Sequence, residues 1–63
     1  MPSVDVEGPP LSLEKKRELV KDVTEALKKA YASFGFIDET MIVRVKENPA
    51  ENVGIGGILV ADK

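Results

Sequence analysis

The feature that most constrains the fold is one helical pattern between two segments of alternating polarity. Apolar residues recur at steps of three and four from Leu13 to Phe34, which predicts one amphipathic helix over about residues 13–33. On either side, Pro2 to Glu7 and Thr40 to Lys46 alternate apolar and polar residues, the period of a half-buried strand. Strands joined by a long helix form a β-α-β unit with parallel strands and a right-handed crossover. The predicted fold class is therefore α/β (α+β), built on a single β-α-β unit.

Residues at the ends of these segments support the boundaries. Gly8-Pro9-Pro10 ends the first strand, because proline cannot donate to a strand ladder. Ser12 has the position and chemistry of a helix N-cap, and Gly35 is predicted to end the helix. A coiled coil is the alternative for the helical segment. We disfavour it because the pattern lasts barely three heptads and has strands on both sides.

The C-terminal glycines predict a turn rather than a phosphate-binding loop. A dinucleotide fingerprint requires G-x-G-x-x-G opening a helix, and a P-loop requires G-K-S/T. Gly54 and Gly56 fit the first spacing, but position 59 is Leu and no helix follows. We therefore expect the glycines to supply positive φ values in a turn that leads into a short strand or hairpin arm, Ile58 to Val60.

Chain length predicts a single domain, residues 1–63, that assembles with other copies. The chain has 63 residues, no cysteine and three aromatic residues, so any core of its own is small. Two parallel strands and one helix leave both sheet edges open and much of the sheet uncovered. We expect a homo-oligomer whose partner chains cover these surfaces, with the C-terminal arm reaching across a subunit boundary.

Charge and hydropathy indicate which classes of binding partner and which cellular compartment to expect. The net charge is −2 with both signs interspersed, which disfavours a nucleic-acid binder because such affinity rests on a basic face. No apolar run is long enough to span a bilayer, and no signal peptide precedes the first strand. A cytoplasmic location without membrane attachment is the expectation.

Few side chains are suited to chemistry. Because His and Cys are absent, the common nucleophile–base triads and most transition-metal sites are excluded, and we predict neither a metal nor a cofactor. Arg44 and Lys46 lie on the strand face shared with Ile42, where a cation can bind a carboxylate or an enolate oxygen. The alternative is that both merely line a hydrated sheet edge or an ion-pair interface.

Pro2 has the most distinctive chemical potential. Aminopeptidases normally remove an initiator Met that precedes a small residue, so Met1 is expected to be lost and Pro2 to become the N-terminus. Its secondary amine is a base when neutral and an acid when protonated, which suits it to moving a proton in either direction. The alternative is that Pro2 simply follows a start codon.

Together these features resemble the 4-oxalocrotonate tautomerase family. The resemblance covers nearly the whole chain and rests on the Met1-Pro2 start, the helix from Glu14 to Ala26 and the segment Asn52-Val53-Gly54-Ile55-Gly56-Gly57. It implies an isomerase that interconverts keto and enol forms of a small 2-oxo acid without a cofactor, using Pro2 as general base. It also implies dimers of β-α-β units assembled into hexamers, as trimers of dimers.

An apolar surrounding would suit that role, because burial disfavours the cationic amine and lowers its pKa toward neutrality. Val4, Ile42, Val53 and Ile55 are the residues expected to provide it once chains assemble.

The sequence also departs from the family at its substrate-binding positions. The loop Gly8-Pro9-Pro10-Leu11 is one residue shorter and lacks the family's arginine. The position of a second arginine falls on Ile42, and that of an aromatic residue falls on Val53. We therefore place the chain in a divergent branch and predict Arg44 as carboxylate anchor, with Lys46 as a weaker candidate. The alternative function is a tautomerase-fold oligomer that has lost efficient catalysis and serves a structural or interaction role.

Overall fold

The computed structural model describes residues 1–36 and 38–63 and contains a β-α-β unit followed by a hairpin. Its elements are strand β1 (Ser3–Gly8), helix α1 (Leu13–Ala30), strand β2 (Ile42–Glu47), and the short strands β3 (Gly54–Ile55) and β4 (Ile58–Leu59). β1 and β2 are parallel, and β3 and β4 are antiparallel. The predicted β-α-β unit with a C-terminal hairpin is confirmed. No helix among the described residues is long and apolar enough to cross a membrane.

Helix α1 begins where the sequence predicted but ends earlier. Ser12 is its N-cap, and the hydroxyl oxygen of Ser12 accepts a hydrogen bond of 3.2 Å from the backbone N–H of Lys15. The α-helix ends at Ala30, and the chain then tightens into a 3-10 turn over Ala32–Phe34 that Gly35 closes with a φ of 71°. Because a 3-10 turn continues the helical rotation, the apolar spacing persists past the true end of the helix.

The strands also differ slightly from their predicted bounds. β1 and β2 begin one and two residues later than expected, and each ends one residue later. The backbone pairing nevertheless extends beyond both strands. The N–H of Ile42 donates to the Pro2 carbonyl at 3.1 Å, and that of Asn48 donates to the Gly8 carbonyl at 2.8 Å. Pro2 is thus held at the first rung of the parallel ladder.

The two faces of the β1–β2 sheet differ in polarity. Valines of both strands are half-buried on the side of α1, while the opposite face is charged and exposed. The half-buried apolar residues of α1 recur every four positions, as expected for one helical face. These residues are Val4, Val6, Val43 and Val45 on the strands and Leu19, Val23 and Leu27 on the helix.

The carboxylate of Glu47 ties the start of the helix to the end of β2. It accepts hydrogen bonds of 2.8 Å from the Lys16 ammonium and 2.8 Å from the Leu11 backbone N–H. The hydrogen bond from Lys16, followed by that from Leu11, lowers the pKa of Glu47. Because side chains alternate along a strand, this contact also shows that the odd-numbered residues of β2 face α1.

A type I′ turn closes the C-terminal hairpin. Ile55 pairs with Ile58, and the two residues between them, Gly56 and Gly57, have φ values of 61° and 85°. Positive φ at both central positions defines this turn and favours glycine there. The prediction of a glycine turn is confirmed at Gly56 and Gly57, whereas Gly54 lies in β3 and has no positive φ.

A single chain leaves much of its apolar surface uncovered. The radius of gyration is 15.3 Å, whereas a compact chain of this length has one of about 11 Å. The accessible surface is 4915 Å², against about 4000 Å² for a compact monomer of this mass. Leu13, Phe34, Ile55 and Ile58 are each more than half exposed. Among the described residues, only Pro2 is buried.

The Glu47 contacts predict acid-sensitive stability. Replacing Glu47 with Gln should lower the midpoint of thermal unfolding by a few degrees near neutral pH, because Lys16 and Leu11 lose a charged acceptor. Since folding depresses the Glu47 pKa, the contribution is complete above its ordinary value of 4.5 and is lost as the pH falls through the folded-state value. Circular dichroism melts of both proteins should therefore converge on acidification.

The matched control is Glu18→Gln, which removes a more exposed partner of Lys15 on the helix surface. A Glu47→Gln melting difference that persisted at low pH, or one no larger than that of the control, would contradict the assignment.

Candidate functional site

The N-terminal edge of the sheet brings together Pro2 and Ile42. The carbonyl of Pro2 is bound to the N–H of Ile42, and Ser3 and Ile42 are directly paired in register. Strand alternation places Pro2 on the same side as Val4 and Val6, which is the side covered by α1. Met1, which makes the Pro2 nitrogen an amide in this structure, is 74% exposed. The backbones of Pro2 and Ile42 are thus adjacent, but the side chain of Ile42 lies on the opposite face of the sheet, with Arg44.

The predicted cations Arg44 and Lys46 lie on the opposite, open face. A guanidinium nitrogen of Arg44 (Nη1) is 3.1 Å from Oδ1 of Asp5, its partner across the strands. The Lys46 ammonium is 3.8 Å from Oε1 of Glu7, which is its own cross-strand partner. The amide of Asn48 donates to the same Glu7 oxygen at 3.0 Å. The face therefore carries a ladder of paired opposite charges.

Val53 lies at the far end of the sheet from Pro2. It helps to line a surface pocket of about 250 Å³ with Gly8, Pro9, Asn48 and Ala50. Gly8 lies six residue steps along the strand from Pro2, which corresponds to about 20 Å. Ile55 is 57% exposed on the hairpin. The apolar residues expected around the base are therefore not gathered around it within one chain.

Within a single chain, Pro2 and Arg44 lie on different faces of the sheet. Pro2 faces α1, whereas Arg44 extends from the other side of the same sheet and already has a carboxylate partner. Within one copy, the Pro2 ring and the Arg44 side chain therefore project to opposite faces of the sheet.

Two features near the candidate site were missed by the sequence analysis. Asp5 was not recognised as the partner of Arg44, although acids alternate along β1 as cations do along β2. Only the strand register reveals which acid meets which cation. The second feature is an aromatic cluster. The ring centroids of Tyr31 and Phe34 are 5.4 Å apart in an edge-to-face arrangement, and those of Phe34 and Phe36 are 5.7 Å apart in a stacked one. Because α1 runs antiparallel to the strands, its C-terminal end lies near the N-terminal ends of β1 and β2. The aromatic cluster comes directly after α1 and therefore lies at the Pro2 end of the sheet.

A larger concavity runs along the exposed side of α1. It encloses about 410 Å³, with an apolar floor and a basic rim. Its lining residues are Leu13, Lys16, Arg17, Val20 and Lys21. Among the described residues, no group of three or more acidic side chains is arranged to hold a metal ion.

Comparison with known proteins agrees with this geometry. A family model described as "Tautomerase enzyme" matches residues 2–63. No curated protein matches the chain at a significant level. Among solved structures, DmpI from Archaeoglobus fulgidus is 41% identical with a TM-score of 0.77, over 97% of this chain and 100% of that one.

Two further structures extend the comparison. YwhB, described as a homologue of 4-oxalocrotonate tautomerase, is 30% identical with a TM-score of 0.78, over 98% of each chain. A chain of a heterohexameric 4-oxalocrotonate tautomerase from Chloroflexus aurantiacus is 25% identical with a TM-score of 0.72, over 98% of this chain and 97% of that one. The similarity therefore spans nearly the full length of both chains in all three comparisons.

Proposed function

This chain belongs to the tautomerase family, and from that premise we propose that it is a cofactor-independent keto–enol tautomerase whose general base is the amine of Pro2. The observation that carries the proposal is the position of Pro2. It is buried at the first rung of the sheet, while the preceding Met1 is 74% exposed. Removal of Met1 would convert the Pro2 nitrogen into a secondary amine without disturbing the ladder, which holds Pro2 through its carbonyl.

The proposed reaction moves one proton between oxygen and carbon. The neutral amine takes the hydroxyl proton of the enol, and the ammonium then returns a proton to carbon as the C=C bond gives way to C=O. The same steps run in reverse from the ketone. Burial favours the neutral amine by lowering its pKa. Part of the protein would then have a neutral Pro2 amine near neutral pH, and this form can act as the base. The enolate that forms between the two transfers and the adjacent carboxylate of the substrate both require a positive partner, and Arg44 is the proposed group for both.

We propose that Arg44 reaches the Pro2 of a neighbouring copy. The two residues lie on opposite faces of one sheet, and the chain exposes apolar surface along α1 and the hairpin. Assembly would cover that surface and bring different faces of different copies together. The relative from Chloroflexus aurantiacus forms a heterohexamer. For this chain we propose a hexamer of identical copies, arranged as a trimer of dimers.

We propose a small enol or 2-oxo acid with a carboxylate as the substrate class. Ile42 and Val53 would contribute apolar walls, both from copies other than the one that provides Pro2, because Ile42 lies on the same strand face as Arg44. Lys46 is a secondary candidate for carboxylate binding, because it lies two residues after Arg44 on the same face of β2.

A non-catalytic assembly protein is the second candidate function. The observation that favours it is the ion pair of Arg44 with Asp5, which leaves no net positive charge at that rung. Turnover that depends on Pro2 would exclude it, whereas an intact oligomer with a free Pro2 and no effect on any enol would support it.

Replacing Pro2 with Ala should lower kcat/KM by about 10²- to 10⁴-fold, the usual contribution of a positioned general base. The assay is ketonisation of phenylenolpyruvate followed by ultraviolet absorbance, with intact mass confirming that Met1 is absent from both proteins. Activity of the wild type should rise with pH as the amine loses its proton. Pro10→Ala, in the exposed loop after β1, is the matched control and should retain activity. Full activity in Pro2→Ala would refute the proposal.

Assembly should depend on the apolar hairpin. Ile58 is 53% exposed in the single chain, so Ile58→Glu would place a charge in a subunit contact and shift the sedimentation mass toward the 6.8 kDa monomer. Activity should fall in parallel. Ala61→Glu adds the same charge to a small exposed residue nearby and should leave the mass unchanged. A monomeric wild type would rule out the shared-site arrangement.

Subunit mixing tests whether Pro2 and Arg44 act across copies. Pro2→Ala and Arg44→Met chains, each impaired alone, should regain activity when co-assembled, because some sites then combine an intact Pro2 with an intact Arg44. Random mixing of equal amounts would restore about a quarter of the sites. The control mixture pairs Pro2→Ala with a Pro2→Ala/Arg44→Met chain and should regain none. Activity no higher than the sum of the separate variants would show that the residues do not work across copies.

A further inference from the structure

We propose that Asp5 sets the charge preference of the site by holding Arg44 in the substrate-free protein, which favours an enol with one carboxylate over an enol with two. Asp5 is thus a specificity-determining residue rather than a catalytic one. The inference rests on the proposed function, because it takes the Arg44 guanidinium as the group that receives the substrate carboxylate.

The backbone itself brings Asp5 and Arg44 together. They are directly paired in the parallel register, and Nη1 of Arg44 is 3.1 Å from Oδ1 of Asp5. No rearrangement of either strand is needed for the contact. A guanidinium has five N–H donors in a planar fork, so a single Asp oxygen at one nitrogen leaves other donors for a second carboxylate.

The Asp5–Arg44 ion pair is also exposed enough for a substrate carboxylate to replace Asp5. The side chains of Arg44 and Asp5 are 61% and 74% exposed, and exposed pairs of this kind alter an equilibrium by about fivefold at most. A substrate carboxylate can therefore displace Asp5 or share Arg44 with it at small cost. Asp5 keeps Arg44 extended in place while reducing the positive charge available to an arriving anion.

The next rung explains why a second carboxylate would be disfavoured. Lys46 is already near Glu7 at 3.8 Å, and Glu7 also accepts a hydrogen bond from Asn48. Across the two rungs, two carboxylates balance two cations. A dianionic substrate would meet no excess positive charge and would bring its second carboxylate close to Asp5 or Glu7. A substrate with one carboxylate avoids that repulsion.

The test compares Asp5→Asn with Glu7→Gln, which removes the same charge from the same strand and face, one rung further on. Asp5→Asn should lower the KM for phenylenolpyruvate by about two- to fivefold and leave the KM for its methyl ester unchanged. The KM for the enol of oxaloacetate, which has two carboxylates, should fall further. Glu7→Gln should have a smaller effect on all three, and Asp5→Asn should have none in an Arg44→Met background.

Equal changes in the two acid variants would show a general charge effect and overturn the inference, as would an unchanged KM in Asp5→Asn. A larger gain in Glu7→Gln would assign the role to Lys46 and overturn it as well. Sedimentation mass and thermal melting of each variant verify that the assembly is intact.

A binding measurement separates failure of the inference from failure of the proposed function. 3-Phenylpropionate has a carboxylate but cannot enolise, and its titration can be followed through the Arg44 side-chain NMR signals. Tighter binding in Asp5→Asn, together with turnover unaffected by Pro2→Ala, would remove the proposed base and leave the Asp5 assignment standing. Loss of turnover in Pro2→Ala, without any change of binding in Asp5→Asn, would remove the Asp5 assignment alone.

Discussion

The parallel pairing of β1 with β2 in one register is the interaction on which the rest of the structure depends. The alignment of Ser3 with Ile42 decides that valine meets valine beneath α1 and that Asp5 meets Arg44 on the open face. Because side chains alternate, a slip of one residue in one strand would exchange its two faces and place cations against the helix. The same register places Pro2 at the first rung, with its carbonyl fixed by Ile42. Fold and candidate chemistry therefore follow from one set of backbone contacts.

Much of the fold was predictable because each element has its own local signal. The three- and four-residue spacing defined α1, Ser12 marked its start, and the paired glycines Gly56 and Gly57 marked a hairpin turn. The helix end was predicted less well, because the 3-10 turn over Ala32–Phe34 retains the apolar spacing of a helix. Local sequence reports local conformation, so its errors fall at the element ends.

The candidate site was predictable only in part, because its geometry is not local. A terminal proline beside an alternating strand was visible in the sequence, and so was a pair of cations on one strand face. The ion pair of Asp5 with Arg44 was not, because it joins residues 39 positions apart through the strand register. The distance of Val53 from Pro2 was also hidden, since an expectation based on one chain cannot tell which residues meet only between copies.

In the proposed tautomerase, a chain this small would gain catalytic geometry by dividing it among copies. The sheet is two strands wide, so its two faces are the main surfaces on which functional groups can be displayed. Burying the Pro2 amine requires the apolar face, whereas an arginine that binds carboxylates requires a hydrated one. One sheet satisfies both needs only by keeping the two groups on opposite sides. Under the proposed function, assembly would unite them and would tie activity to the same apolar contacts that compensate for the missing core.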